Sequence, residues 1–123
     1  RCIMKHEFDP NLPIYLQVME EIKKSILKKE YLPGHKIPSV RELALEYSIN
    51  PNTIQKALSE LEREGLLTSV RAVGKFVVED LNVIENLRKE KAHQAVLNYY
   101  EQMSELGYDQ EGMIQMIKQF KEE

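Results

Sequence analysis

Apolar side chains recur along most of this chain at three- and four-residue steps, and in one stretch they cluster as β-branched and aromatic types. In residues 13–29, Tyr15, Val18, Met19, Ile22 and Ile26 fall on one face of a helix. Asp9-Pro10-Asn11 and Pro13 are start signals for it, and Lys28 and Lys29 suit the negative end of its dipole. Leu32-Pro33-Gly34-His35 follows, with proline and glycine at the central positions of a type II turn.

Ser39-Val40-Arg41-Glu42 has the form of a capping box, in which a serine hydroxyl serves one orphan amide and a glutamate serves the other. It predicts a short helix over 39–47 with Val40, Leu43, Ala44 and Tyr47 inward. Asn50-Pro51 is a second start signal, asparagine as N-cap and proline in the first turn. Ile54, Ala57, Leu58 and Leu61 form the inner stripe of the next helix, 51–64, which Gly65 closes. Residues 66–79 change character: Leu67, Val70, Val73, Phe76, Val77 and Val78 surround Gly74 and predict a two-stranded hairpin. Two strands alone are marginal, so the hairpin must pack on the helices.

From Leu81 to about Leu106 the pattern is helical again. Ala92, Val96, Tyr99, Met103 and Leu106 make a heptad-like seam. Gly107 ends it, and Asp109 opens a last helix with Met113, Ile114, Ile117 and Phe120 apolar. The fold class expected is mainly α with a small β-hairpin: a winged helix-turn-helix domain over residues 6–79, then a short two-helix region over 80–123. That last region carries many apolar residues and little to cover them, so it is expected to dimerise through Val96, Tyr99, Met103 and Leu106.

Charge first argues against nucleic acid. Seventeen lysines and arginines face twenty acids, a net charge of −3, and the average field repels phosphate. Sorting by position changes the picture. Residues 1–80 carry 12 basic and 12 acidic side chains, whereas residues 81–123 carry 5 and 8, so the whole excess of acid lies in the C-terminal region. Residues 48–59 contain no acid at all. The outward positions there are Asn52, Thr53, Gln55, Lys56 and Ser59, types that reach base edges and phosphates. The acids of the same helix, Glu60, Glu62 and Glu64, come in its second half. Residues 65–78 are also free of acid and carry Arg71 and Lys75. Arg41 sits in the first turn of the short helix, where a guanidinium and free amides can hold one phosphate together.

Several separated blocks resemble the N-terminal domain of the GntR family of bacterial transcriptional regulators. They are Ile37-Pro38-Ser39-Val40-Arg41-Glu42-Leu43-Ala44, Asn50-Pro51-Asn52-Thr53-Ile54-Gln55-Lys56-Ala57-Leu58, Leu61-Glu62-Arg63-Glu64-Gly65-Leu66-Leu67 and Val73-Gly74-Lys75-Phe76-Val77. The likeness covers roughly residues 10–79. The short two-helix tail and the Asn-Pro-Asn-Thr start are similar to the YtrA subfamily. The resemblance implies a homodimer that binds double-stranded DNA at a palindromic operator, often as a repressor of its own operon. It implies DNA contact by Ser39, Arg41, Thr53, Gln55, Lys56 and the wing glycine Gly74; the residue types add Asn52, Arg71 and Lys75. One position departs from the family's Arg-Gly-x-Gly wing, which here reads Arg71-Ala72-Val73-Gly74. If that place needs a positive φ, Ala72 is strained in it.

Other chemistry finds little support. His6, His35 and His93 are scattered without carboxylate or cysteine partners, so no metal is expected, and no cofactor or catalytic constellation is recognisable. No run of apolar residues exceeds three, and Cys2 is the sole cysteine, so neither a membrane span nor an intrachain disulfide is expected, and a cytoplasmic location is. Residues 1–5 are left outside the predicted elements. The competing reading is a winged-helix module for protein contact, since fold alone does not fix function.

Overall fold

A computed structural model describes residues 7–121; Cys2 and His6 lie outside them. The element order is α1 (Ile14–Leu27), α2 (Val40–Tyr47), α3 (Pro51–Arg63), β1 (Leu67–Val70), β2 (Gly74–Val77), α4 (Leu81–Glu105) and α5 (Gln110–Gln119). This is the predicted mainly helical fold with one antiparallel hairpin. The chain divides into two compact units, the first ending at Glu85 and the second starting at Asn86. The division falls inside α4, a few residues past the expected boundary at 79/80, because the first turn of α4 buries Ile84.

In the first unit α1 and α2 both pack on α3. Val18, Ile22, Leu43, Ile54, Leu58 and Leu61 are sealed from solvent, as the periodicity requires. The capping box is present: Ser39 Oγ accepts from the Glu42 amide at 3.1 Å, and Glu42 Oε1 accepts from the Ser39 amide at 2.8 Å. The bonds that the Glu42 carboxylate accepts from the Ser39 amide and from the Ser39 hydroxyl hold it below its ordinary pKa. Ser48, in the left-handed region at φ 57°, turns the chain from α2 into α3. Asn50 Oδ1 then caps α3 by accepting from the Asn52 amide at 2.7 Å.

The hairpin pairs Leu67 with Val77, Thr68 with Phe76, Ser69 with Lys75, and Val70 with Gly74. Its inward face starts with buried Leu67 and Val77. The two expected strands form, and a short stretch before α2 adds to them. The type II turn at Pro33-Gly34 forms, with Gly34 at φ 77° and the His35 amide bonded to the Leu32 carbonyl at 3.0 Å. It leads the chain along β2 as a third short edge. There the Ile37 amide donates to the Lys75 carbonyl and the Val77 amide to the His35 carbonyl, both at 2.9 Å, and Lys36 bridges to Phe76. This edge answers the marginal stability of an isolated hairpin.

In the second unit the predicted seam divides. Met103 is buried along with Met113 of α5. Tyr99 donates its hydroxyl hydrogen to the Met113 carbonyl at 2.8 Å. Those two seam residues therefore pack within their own chain, because α5 supplies the complementary surface. Val96 and Leu106 remain exposed. No helix among the described residues is long and apolar enough to cross a membrane.

Candidate nucleic-acid interface

A groove of about 470 Å³ opens between the start of α2, the first half of α3 and the hairpin wing. Of the residues singled out from the sequence, it is lined by Ser39, Gln55, Arg71, Gly74 and Lys75. The cap at Ser39 fixes the first of these, its hydroxyl accepting from the Glu42 amide and donating to the Glu42 carboxylate. Gln55 lies on the exposed side of α3, its amide 3.4 Å from the Ser59 hydroxyl one turn on. Arg71 is exposed at the wing tip and has no ion-pair partner among the described residues. Arg41, Asn52 and Thr53 do not line the groove. Arg41 and Asn52 are exposed and Thr53 half-buried, all in the first turns of their helices. The Glu42 carboxylate accepts from the Ser39 amide, and Arg41 forms no ion pair among the described residues.

Two of the expected cations are placed differently from the sequence reading. Lys75 was expected as a free charge on an acid-free hairpin. Its ammonium instead lies 2.8 Å from Glu62 Oε1 and 2.7 Å from the Ser69 hydroxyl, and its side chain is only 18% exposed. The reason is alternation in β2. Lys75 shares a face with buried Val77 and so points toward α3, which brings up Glu62. Ser69 also donates to Glu62 Oε1, at 2.9 Å. The Lys75 and Ser69 bonds lower the Glu62 pKa from its ordinary value. Lys56, the other case, sets its ammonium 4.1 Å from the centre of the Tyr15 ring on α1, a cation–π contact. It remains exposed, with a hydrophobic floor beneath it.

The wing turn explains itself in part. The Val73 amide bonds to the Val70 carbonyl at 3.0 Å, and Ala72, at the third turn position, has φ 66°. That is a place for glycine, so the departure at Ala72 does carry the expected backbone strain. Gly74 at φ 143° has a second constraint: a Cβ there would stand 2.8 Å from Lys36 Cε. Lys36 also lines the groove, is exposed, and has no ion pair among the described residues. The sequence reading did not single it out. A pairing with Phe76, forty residues away in sequence, was needed to bring it to Gly74.

Comparison with known proteins points the same way. The model of the family described as "Bacterial regulatory proteins, gntR family" matches residues 14–77, more than half of the chain. The chain is 40% identical over 119 residues to an HTH-type transcriptional regulator, YhcF, of Bacillus subtilis, spanning 97% of this chain and 98% of that one. It is 45% identical over 76 residues to the HTH-type transcriptional repressor YtrA of the same organism, spanning 60% and 58%. Among solved structures, a GntR family transcriptional regulator from Listeria monocytogenes superposes with a TM-score of 0.86 at 39% identity, over 93% of this chain and 100% of that one. A structure of AraR(DBD) in complex with an operator superposes with a TM-score of 0.53 at 38% identity, over 61% and 92%.

Proposed function

Because the chain belongs to the gntR family of bacterial regulatory proteins and is a transcriptional regulator rather than an enzyme, we propose that it acts as a homodimeric repressor on a palindromic operator. The first turns of α3 enter the major groove, and the wing lies beside it. Gln55, Asn52 and Thr53 address base edges; Arg41, Arg71 and Ser39 hold the backbone. The observation that carries this reading is the face itself. The groove between α2, α3 and the wing is lined by Lys36 and Arg71, which form no ion pair among the described residues, and by a hydroxyl and an amide, in a chain whose net charge is −3. The presence of an operator in a relative's structure supports the same use of the fold.

The dimer is proposed from the second unit. Val96 is 64% exposed and Phe120 75%, and Leu97, Tyr100 and Ile117 are exposed beside them in sequence. Apolar surface of this kind on a small helical hairpin calls for a partner. A second copy is the occupant chosen, because two-fold pairing supplies the two half-sites that a palindrome presents, about 34 Å apart.

The test is fluorescence anisotropy on the duplex upstream of the protein's own coding region, across a salt series. Affinity should fall linearly in log–log form with salt. Arg41→Ala should weaken binding to every duplex, whereas Gln55→Ala should relax preference at one base position. Binding indifferent to salt and to both changes would sink the proposal and favour a protein-contact role.

A further inference from the structure

Two lysines meet at the base of the wing, and they are used in opposite ways. We propose that Lys36 is the cation with which this side of the interface grips the DNA backbone, and that Lys75 is a positioning residue that fastens the wing to α3. The inference rests on the reading of the chain as a duplex-DNA binder and assigns within it a phosphate contact that the acid-free stretches did not indicate.

The root of Lys36 is fixed. Its neighbours donate or accept backbone bonds to β2 on either side, and Lys36 itself bridges to Phe76. From there its side chain crosses the wing over Gly74. A Cβ at position 74 would come within 2.8 Å of Cε and 3.5 Å of Nζ, so any larger residue displaces the ammonium from this path. Gly74 is thus needed twice, for its backbone and as the floor beneath Lys36. The ammonium lines the same groove as Ser39, Gln55 and Arg71. The charge of Lys36 is felt at Glu42, but Lys36 forms no ion pair among the described residues. It is therefore exposed and without a direct acidic partner.

Lys75 also lines the groove, but it is ion-paired and mostly covered. Reaching a phosphate would require its ammonium to leave both Glu62 and Ser69. Those bonds join β2, β1 and α3 at one point, which sets the wing against the recognition helix.

The two roles separate in the salt dependence. A lysine that neutralises a phosphate contributes roughly 0.9 to the slope of log K against log salt, and a positioning residue contributes nothing. The experiment compares the full chain with its Lys36→Gln, Lys36→Arg and Lys75→Gln/Glu62→Gln variants on the upstream duplex and on an unrelated duplex. The double change leaves the net charge as it was. Lys36→Gln should weaken binding to both duplexes by a similar factor, on the order of 5–10-fold, and flatten the slope by about one per engaged subunit. Lys36→Arg should restore both. The double variant should weaken binding with the wild-type slope and speed hydrogen exchange at the wing amides. An unchanged slope in Lys36→Gln, or a slope lost in the double variant instead, overturns the assignment while leaving the DNA-binding reading intact. Wild-type binding without salt dependence overturns both.

Discussion

The two units of this chain use their apolar residues in different ways. In the first, α3 is packed by both α1 and α2, so its inner stripe is covered from more than one side, and Ile54, Ala57 and Leu61 have no exposed surface. The second consists of the rest of α4 and α5. Beyond Leu87, the buried side chains among the described residues there are Met103 and Met113, while Val96, Leu106, Ile117 and Phe120 stay in solvent. A helical hairpin cannot enclose two apolar stripes; a third layer is needed. The first unit is therefore sealed around α3 and presents a polar face, and the second leaves apolar side chains in solvent, the surface on which the proposed dimer rests.

The strongest way to break this comparison is to place charge on the exposed seam. Val96→Glu should give monomers by sedimentation and lower operator affinity by roughly 10²–10⁴-fold, the advantage lost when two linked half-site contacts become one. The melting of the first unit should be unchanged. Dimers of wild-type stability in this variant would move the interface elsewhere. Met103 is a poor choice for the same experiment, because it is buried within its own chain, and a charge there would disrupt the hairpin before it reached any partner.

Next in size is a cavity in the sealed unit. Leu61→Ala removes a side chain with no exposed surface and should cost about 3 kcal/mol in urea denaturation. A loss below about 1 kcal/mol would show that this core relaxes more than its packing implies. A smaller and opposite change is expected at the wing: Ala72→Gly relieves a residue at φ 66° and should stabilise the domain by about 1 kcal/mol.

Much of this division was legible before any coordinates. Helix bounds agree to within a residue or two because the caps are chemical. Ser39 with Glu42, Asn50 with Pro51, and Asp109 with its bond to the Gly112 amide each fix a first turn locally. What local pattern could not convey were pairings across distance. A heptad-like seam looks the same whether its partner is α5 or a second copy, and the pattern alone could not show that Tyr99 and Met103 make contacts within their own chain. Counting acids along residues 65–78 missed Glu62, which lies outside the stretch but opposite Lys75 in space. Alternation in β2 held the missed signal, since Lys75 is two residues from Val77 and must share its face. Lys36 had no such signal, because the edge pairing that aims it is too short to alternate.

The subtlest test concerns the junction between the wing and α3. Glu62 has a folded pKa below its ordinary value because Lys75 and Ser69 donate to its carboxylate. A depressed carboxylate contributes stability that is fully present above its unfolded pKa, near 4.3, and is lost as pH falls through the folded value. At neutral pH the clasp is closed, and small shifts around neutrality should leave the wing unchanged. On acidification the proton added to Glu62 removes the charge that holds Lys75. The amides of β1 and β2 should then exchange faster while those of α3 remain protected by its buried stripe. The same acidification protonates Glu42, whose lowered pKa comes from the Ser39 bonds, so fraying at the start of α2 should appear in the same range. Glu62→Gln separates the two events. It should make wing exchange insensitive to acid and leave the response of α2 in place. If wing exchange in that variant still rises as in the wild type, the clasp is not what holds the hairpin, and its attachment lies in Leu67, Val77 and the backbone bonds of the edge before α2.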